Sequence, residues 1–158
     1  SEKQIIWGCN YIQFNQKNTS TGRIFWDKVN GTNDFSDGEI AWTNCMSSVR
    51  QIEFMWNGML QGKSYKSGRI NQGNKKKCEK RIHPTQKPIQ VYLWLLNKFA
   101  KENDKIIDTH FGSGSIALAC EKLGFHLVAS EKDKDYYNNS YKRFKEETSQ
   151  MSLFPSFV

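Results

Sequence analysis

The run IIDTHFGSGSIALAC, residues 106–120, passes from a β-branched strand pattern through Gly112, Ser113 and Gly114 directly into a helical one. Glycine is needed where the backbone reverses this tightly and must lie close to a ligand, because a Cβ would block the approach. Seventeen residues past Gly114, Glu131 ends a second strand pattern, FHLVASEK. A carboxylate at that place accepts hydrogen bonds from both hydroxyls of a ribose. Strand, glycine turn, helix, strand and carboxylate together confine this part of the chain to a β-α-β unit and point to a cofactor built on adenosine.

The neighbouring elements follow from periodicity. PIQVYLWLLNKFA places Ile89, Leu93, Leu96 and Ala100 on one stripe with Tyr92 and Phe99 beside it, which predicts a helix with one buried face and Pro88 at its first position. DKIIDTHF reads as a buried strand, SIALACEKLG as a helix capped by Gly124, and a last helix from about Asp133 to Glu147 is expected to bury Tyr137, Tyr141 and Phe144. Tyr136 and Tyr137 stand where either an adenine contact or a helix anchor would serve. Upstream, QIIWGCNYIQF, GRIFWDKV, GEIAWTN and RQIEFMWNGML are short β-branched and aromatic runs punctuated by NG, GT and SDG turn signals, predicting three or four strands. Tryptophans 7, 26, 42, 56 and 94 read mainly as core or sheet packing, and Asp27, Asp34, Asp37 and Glu39 as turn and edge residues.

Between these two parts lies a segment poor in apolar residues. From Gln61 to Arg81 it carries Lys63, Lys66, Arg69, Lys75, Lys76, Lys77, Lys80 and Arg81 against Glu79 alone, which accounts for the formal charge of +7. Such a loop releases counterions when it meets a polyanion, so these eight cations are the candidate nucleic-acid contacts. A single domain of 158 residues is expected, with strands in 1–60, the basic loop in 61–82 and the cofactor-binding half in 83–158. No apolar stretch is long enough to cross a membrane. Cys9, Cys45, Cys78 and Cys120 have neither CxxC pairing nor a histidine at zinc spacing, so they read as reduced cytoplasmic thiols with no metal site.

G-S-G-S-I-A also satisfies the loose dinucleotide fingerprint, so an NAD(P)-binding Rossmann protein has to be weighed. Only 27 residues follow Glu131, so the remaining sheet must come from strands that precede the glycine turn. Asp108, at the end of the first strand, offers nothing to a pyrophosphate but suits the ammonium of a cofactor carrying an amino acid.

RIHPTQKPI, then a helix, then DTHFGSGS, then a carboxylate after the next strand resembles the permuted N6-adenine or N4-cytosine DNA methyltransferases, in which catalytic strands precede the cofactor half. IIWGCNY, FWDKVNGTNDFSDGEIAWT and FMWNGML resemble small phage and prophage members, of the kind found in restriction-modification systems. The resemblance implies an α/β Rossmann-like sheet in permuted order, S-adenosylmethionine as cofactor and double-stranded DNA as partner, with N6-adenine the preferred target. It also implies that Asp108, Gly112, Ser113 and Gly114 form the cofactor loop, that Glu131 holds the ribose, and that His83, Pro84, Thr85, Gln86 and Lys87 close over the methionine end. Prolines 84 and 88 stiffen that segment, so it presents Thr85, Gln86 and a cation to a carboxylate. The family's loop usually carries Phe two residues before the first glycine; here His110 stands there with Phe111 beside it, leaving open which ring meets the cofactor.

An exocyclic base amine is a poor nucleophile, and the family activates it with Asp, Asn or Ser followed by Pro-Pro and an aromatic. The three prolines, Pro84, Pro88 and Pro155, are nowhere adjacent, so no catalytic residue is assigned in this chain. The expectation is a piece of a longer enzyme whose sheet is completed by an upstream segment or a swapped dimer. Alternatives are a remnant that binds nucleic acid or cofactor without catalysis, or the NAD(P) protein above. A C5-cytosine mechanism needs a thiolate after proline, and no cysteine here follows one.

Overall fold

The computed structural model describes residues 2–12, 20–30, 36–57, 60–62 and 78–152. The chain divides into two compact units, Ser1–Glu79 and Lys80–Val158.

In the first unit β1 (Ile5–Trp7), β2 (Arg23–Asp27), β3 (Gly38–Thr43) and β4 (Val49–Glu53) form a mixed sheet in the order β1-β3-β2-β4. β3 runs antiparallel to both β1 and β2, whereas β4 lies parallel to β2. Period-two alternation buries Ile24 and Trp26 of β2 completely. The Trp26 indole N–H donates to the Phe54 carbonyl at 3.0 Å, so its polar edge is satisfied inside. A hairpin of β5 (Met55–Asn57) and β6 (Leu60–Gly62) follows.

Six described strands therefore replace the three or four expected. Phe54 divides RQIEFMWNGML into separate pieces, and the first run stops at Trp7 because Gly8 takes a left-handed φ of 69° and turns the chain into a short 3-10 segment, Cys9–Tyr11. Gln61 belongs to β6 rather than to the basic loop. Its buried amide accepts from the Glu79 N–H at 2.7 Å and donates to the Glu79 carbonyl at 3.0 Å, tying the two ends of the basic segment together. Asp27 accepts from the Val29 N–H and Gln51, and Glu39 pairs with Lys28, so these carboxylates serve the local sheet.

The second unit runs α1 (Ile89–Phe99), β7 (Lys105–Asp108), α2 (Ser115–Leu123), β8 (His126–Ala129) and α3 (Lys134–Ser152), with β7 and β8 parallel. Ile89 and Leu96 of α1 pack with Ile116, Leu118, Ala119 and Cys120 of α2, and Phe111 and Phe144 close over them. Pro88 is extended and precedes α1 instead of starting it, and Ala100 lies just past its end. Val91 and Leu95 are buried as well, so α1 is covered on more than the one face expected. α2 ends as the sequence indicates: Gly124 adopts φ 73°, and the Phe125 N–H reaches back to the Cys120 carbonyl at 2.9 Å.

Two expectations fail here. β7 and β8 are not buried on both faces, since the paired Ile107 and Val128 are 67% and 69% exposed. Tyr137 and Tyr141 do not enter the core either: they stack on each other at the surface, ring centroids 6.1 Å apart, while Ser140 and Arg143 of the same helix are buried.

Candidate functional site

The site grows from the turn between β7 and α2. Gly112 and Gly114 hold φ of 54° and 72°, a region that side-chain-bearing residues rarely occupy. At Gly114 a Cβ would meet the Phe111 ring at 3.0 Å and Ser140 Cβ at 3.3 Å, so packing behind the turn requires a glycine here. At Gly112 a Cβ would point toward the His83 ring, 3.8 Å away. The Gly114 N–H donates to the Phe111 carbonyl and the Phe111 N–H to the Ser130 carbonyl, both at 2.9 Å, which fastens the turn to the strand that delivers Glu131.

Glu131 reaches back across this turn. Its Oε2 accepts from the Gly112 N–H at 2.8 Å and its Oε1 from the Asp133 N–H at 3.0 Å. These bonds, the Asp133 one foremost, hold its carboxyl below the ordinary value of 4.5, with the His83 ring adding a smaller pull. A carboxylate offers about four acceptor positions, so the ionised group keeps accepting capacity beyond the Gly112 and Asp133 bonds. Asp133 caps α3 by accepting from the Asp135 and Tyr136 N–H groups at 2.9 and 3.0 Å. Tyr136, so placed, packs its ring against His83 with centroids 4.2 Å apart. His83, Gly112, Glu131 and Tyr136 thus converge on one spot from three separate stretches of chain.

The remaining sequence-selected residues differ in burial and in their partners. Asp108 is half-buried and accepts from the His110 N–H at 3.0 Å. Burial, with Asp108 nearby, pushes the Cys120 thiol up to about 11, so Cys120 is an inert core thiol. The two rings differ in burial: Phe111 packs into the core beneath the turn, and His110 is exposed with its Nδ1 2.9 Å from Thr109 Oγ1. The Thr85 N–H and hydroxyl both lie on His83 Nδ1, at 3.3 and 3.1 Å, which fixes the ring orientation. Gln86 is not directed at a ligand as expected. It is 3% exposed, accepts from the Ile82 N–H at 2.8 Å and donates to the Lys80 carbonyl at 3.1 Å, clamping its own segment. Lys87 is half-buried, and Pro84 is exposed with its carbonyl accepting from Arg81. Of the eight basic candidates, Lys80 and Arg81 are exposed; Lys63, Lys66, Arg69, Lys75, Lys76 and Lys77 lie outside the described residues. Among the described residues no helix is long and apolar enough to cross a membrane, and no group of three His, Cys, Asp or Glu is placed to hold a metal ion.

A family profile described as DNA methylase matches residues 6–142. The chain belongs to this N6/N4 DNA methylase family. It is similar to the type II methyltransferase M2.LlaDCHI of Lactococcus lactis subsp. cremoris, 27% identical over 125 residues that make up 78% of this chain and 42% of the relative. It is likewise similar to the type II methyltransferase M2.DpnII of Streptococcus pneumoniae, 26% identical over 130 residues, 81% of this chain and 43% of the relative. The chain therefore spans less than half the length of these two relatives. Among solved structures, an M1.HpyAVI–SAM complex superposes with a TM-score of 0.50 at 24% identity, covering 77% of this chain and 60% of that one. The fold is accordingly the α/β fold of that methyltransferase, with most of the strands ahead of the glycine turn.

In this methylase-family chain the sequence reading missed the polar side of α3. Ser140 donates to the Gly112 carbonyl, and the Arg143 guanidinium donates to the Ser113 carbonyl and to Ser115 Oγ, both at 3.1 Å. Glu147 holds the other side of that guanidinium at 2.8 Å. The available signal was the spacing: Tyr136, Ser140, Arg143 and Glu147 recur at helical intervals and form one stripe. Polar residues in such a stripe read as solvated, which is why the aromatic Tyr137 and Tyr141 drew the assignment instead.

Proposed function

We propose that the chain is the cofactor-holding part of a DNA amino-methyltransferase, acting in the cytoplasm on double-stranded DNA. The observation that carries this reading is the convergence of Glu131 and His83 on the Gly112 turn. S-adenosylmethionine, the cofactor this arrangement fits, supplies an electrophilic methyl group when bound. Glu131 has spare lone pairs for the two ribose hydroxyls, His83 and Tyr136 form an aromatic wall beside the turn, and Asp108 and Lys87 stand as the candidates for the amino-acid end. Gln86 serves by fixing the segment that carries His83.

The 158 residues contain no adjacent prolines, so the group that accepts hydrogens from the base amine would come from polypeptide outside them. N6-adenine is the preferred target, with N4-cytosine next, on family resemblance. The basic segment between Gln61 and Arg81 would follow the DNA backbone.

Calorimetric titration with S-adenosylmethionine and, separately, with NADH tests the reading: binding of the first and not the second is expected, and the reverse would replace it with a dinucleotide-binding protein. Neutralising Lys75, Lys76 and Lys77 should reduce the salt slope of DNA binding by up to about three phosphate contacts. An unaltered slope would return that segment to a solvated linker.

A further inference from the structure

We infer that Ser140 and Arg143, two buried polar residues of α3, are positioning residues that set the peptide orientations of the cofactor turn. The inference rests on the cofactor reading above. Ser140 draws the Gly112 carbonyl toward α3, and Arg143 draws the Ser113 carbonyl the same way. No peptide bond here is cis, and in a trans peptide the N–H points opposite to the carbonyl of the same plane. Holding the Gly112 carbonyl toward α3 therefore aims the Ser113 N–H away from it. Two carbonyl dipoles that would repel electronegative cofactor atoms are turned to the rear of the turn, and a donor is turned to the front.

The arrangement is costly to assemble without purpose. Arg143 is 7% exposed and Ser140 1% exposed, positions on α3 that an apolar side chain would fill at lower desolvation cost. Glu147 neutralises the guanidinium without taking over the N–H groups directed at the turn. Gly112 and Gly114, lacking a Cβ, leave the turn several accessible backbone conformations, so fixed partners for its carbonyls help decide which peptide orientation prevails.

The test compares wild type, Ser140→Ala and Arg143→Met by calorimetry with S-adenosylmethionine, alongside thermal melting of each. Ser140→Ala removes the hydroxyl that holds the Gly112 carbonyl, and the better helix propensity of alanine offsets part of that loss, so a small fall in melting temperature is expected beside a rise in Kd of about threefold to tenfold. A merely structural hydroxyl would not divide the two readouts in this way. Arg143→Met should raise the Kd about tenfold or more while folded, and the smaller Ser140 change decides the matter if it does not fold. Wild type binding the cofactor with Ser140→Ala binding within twofold of it overturns the inference alone. Wild type failing to bind overturns the functional reading and this inference together.

Discussion

The four-stranded sheet of the first unit and the β7-β8 pair of the second are stabilised in opposite ways. β2 of the first unit has a neighbour on each edge and carries fully buried Ile24 and Trp26 at its centre. β7 of the second unit pairs only with β8 among the described residues, and its outward Ile107 is exposed beside Val128. Parallel strands are ordinarily covered on both faces, so the second unit draws its order from elsewhere: the apolar contact of α1 with α2, and the polar grip of α3 on the glycine turn. The first unit is organised by apolar strands, the second by helices that hold a turn in place.

The contrast is broken most easily at Trp26. Trp26→Ala should cost about 3–5 kcal/mol in a denaturant titration, because it empties the centre of the first sheet and strands the Phe54 carbonyl. A loss below about 1 kcal/mol would mean that β2 is not the organising strand. Gly114→Ala should cost roughly 1–3 kcal/mol, since an alanine there must hold positive φ and press on Phe111.

Glu131 sharpens the second half of the comparison. Glu131→Ala should weaken S-adenosylmethionine binding by about 1–3 kcal/mol, read by calorimetry. Its folded-state pKa lies below the ordinary 4.5, so the unfolded chain takes up the proton first as the pH falls. Its contribution to stability is therefore complete at neutral pH and is lost as the pH drops through 4.5 and then through the lower folded value. Comparing melting curves of wild type and Glu131→Gln across that acid range checks the sign: the difference should shrink toward low pH. The smallest effect is expected at the open strand face, where Ile107→Ser should alter stability by no more than about 0.5 kcal/mol, and a larger loss would mean that face is covered.

What was legible in the sequence follows the same division. Glycine and carboxylate positions carry their reasons locally: Gly124 caps α2 through its own φ, and Gly112 and Glu131 meet because a β-α-β path brings the ends of adjacent parallel strands together. Side chains whose partners lie far along the chain were harder to read. Gln61 and Gln86 look like ordinary surface amides, yet each is buried and holds backbone on both sides of its amide. Ser140 and Arg143 act on residues about thirty positions earlier, beyond any local pattern. The exposure of Ile107 was equally hidden, because a β-branched run looks the same whether one face or both are covered.

The most direct measurement of the central claim is the set of backbone amide resonances of the full chain as S-adenosylmethionine is added. The largest shifts should fall on Gly112, Ser113 and Glu131, with His83 and Tyr136 following. Saturable binding whose shifts leave this turn untouched would contradict the account.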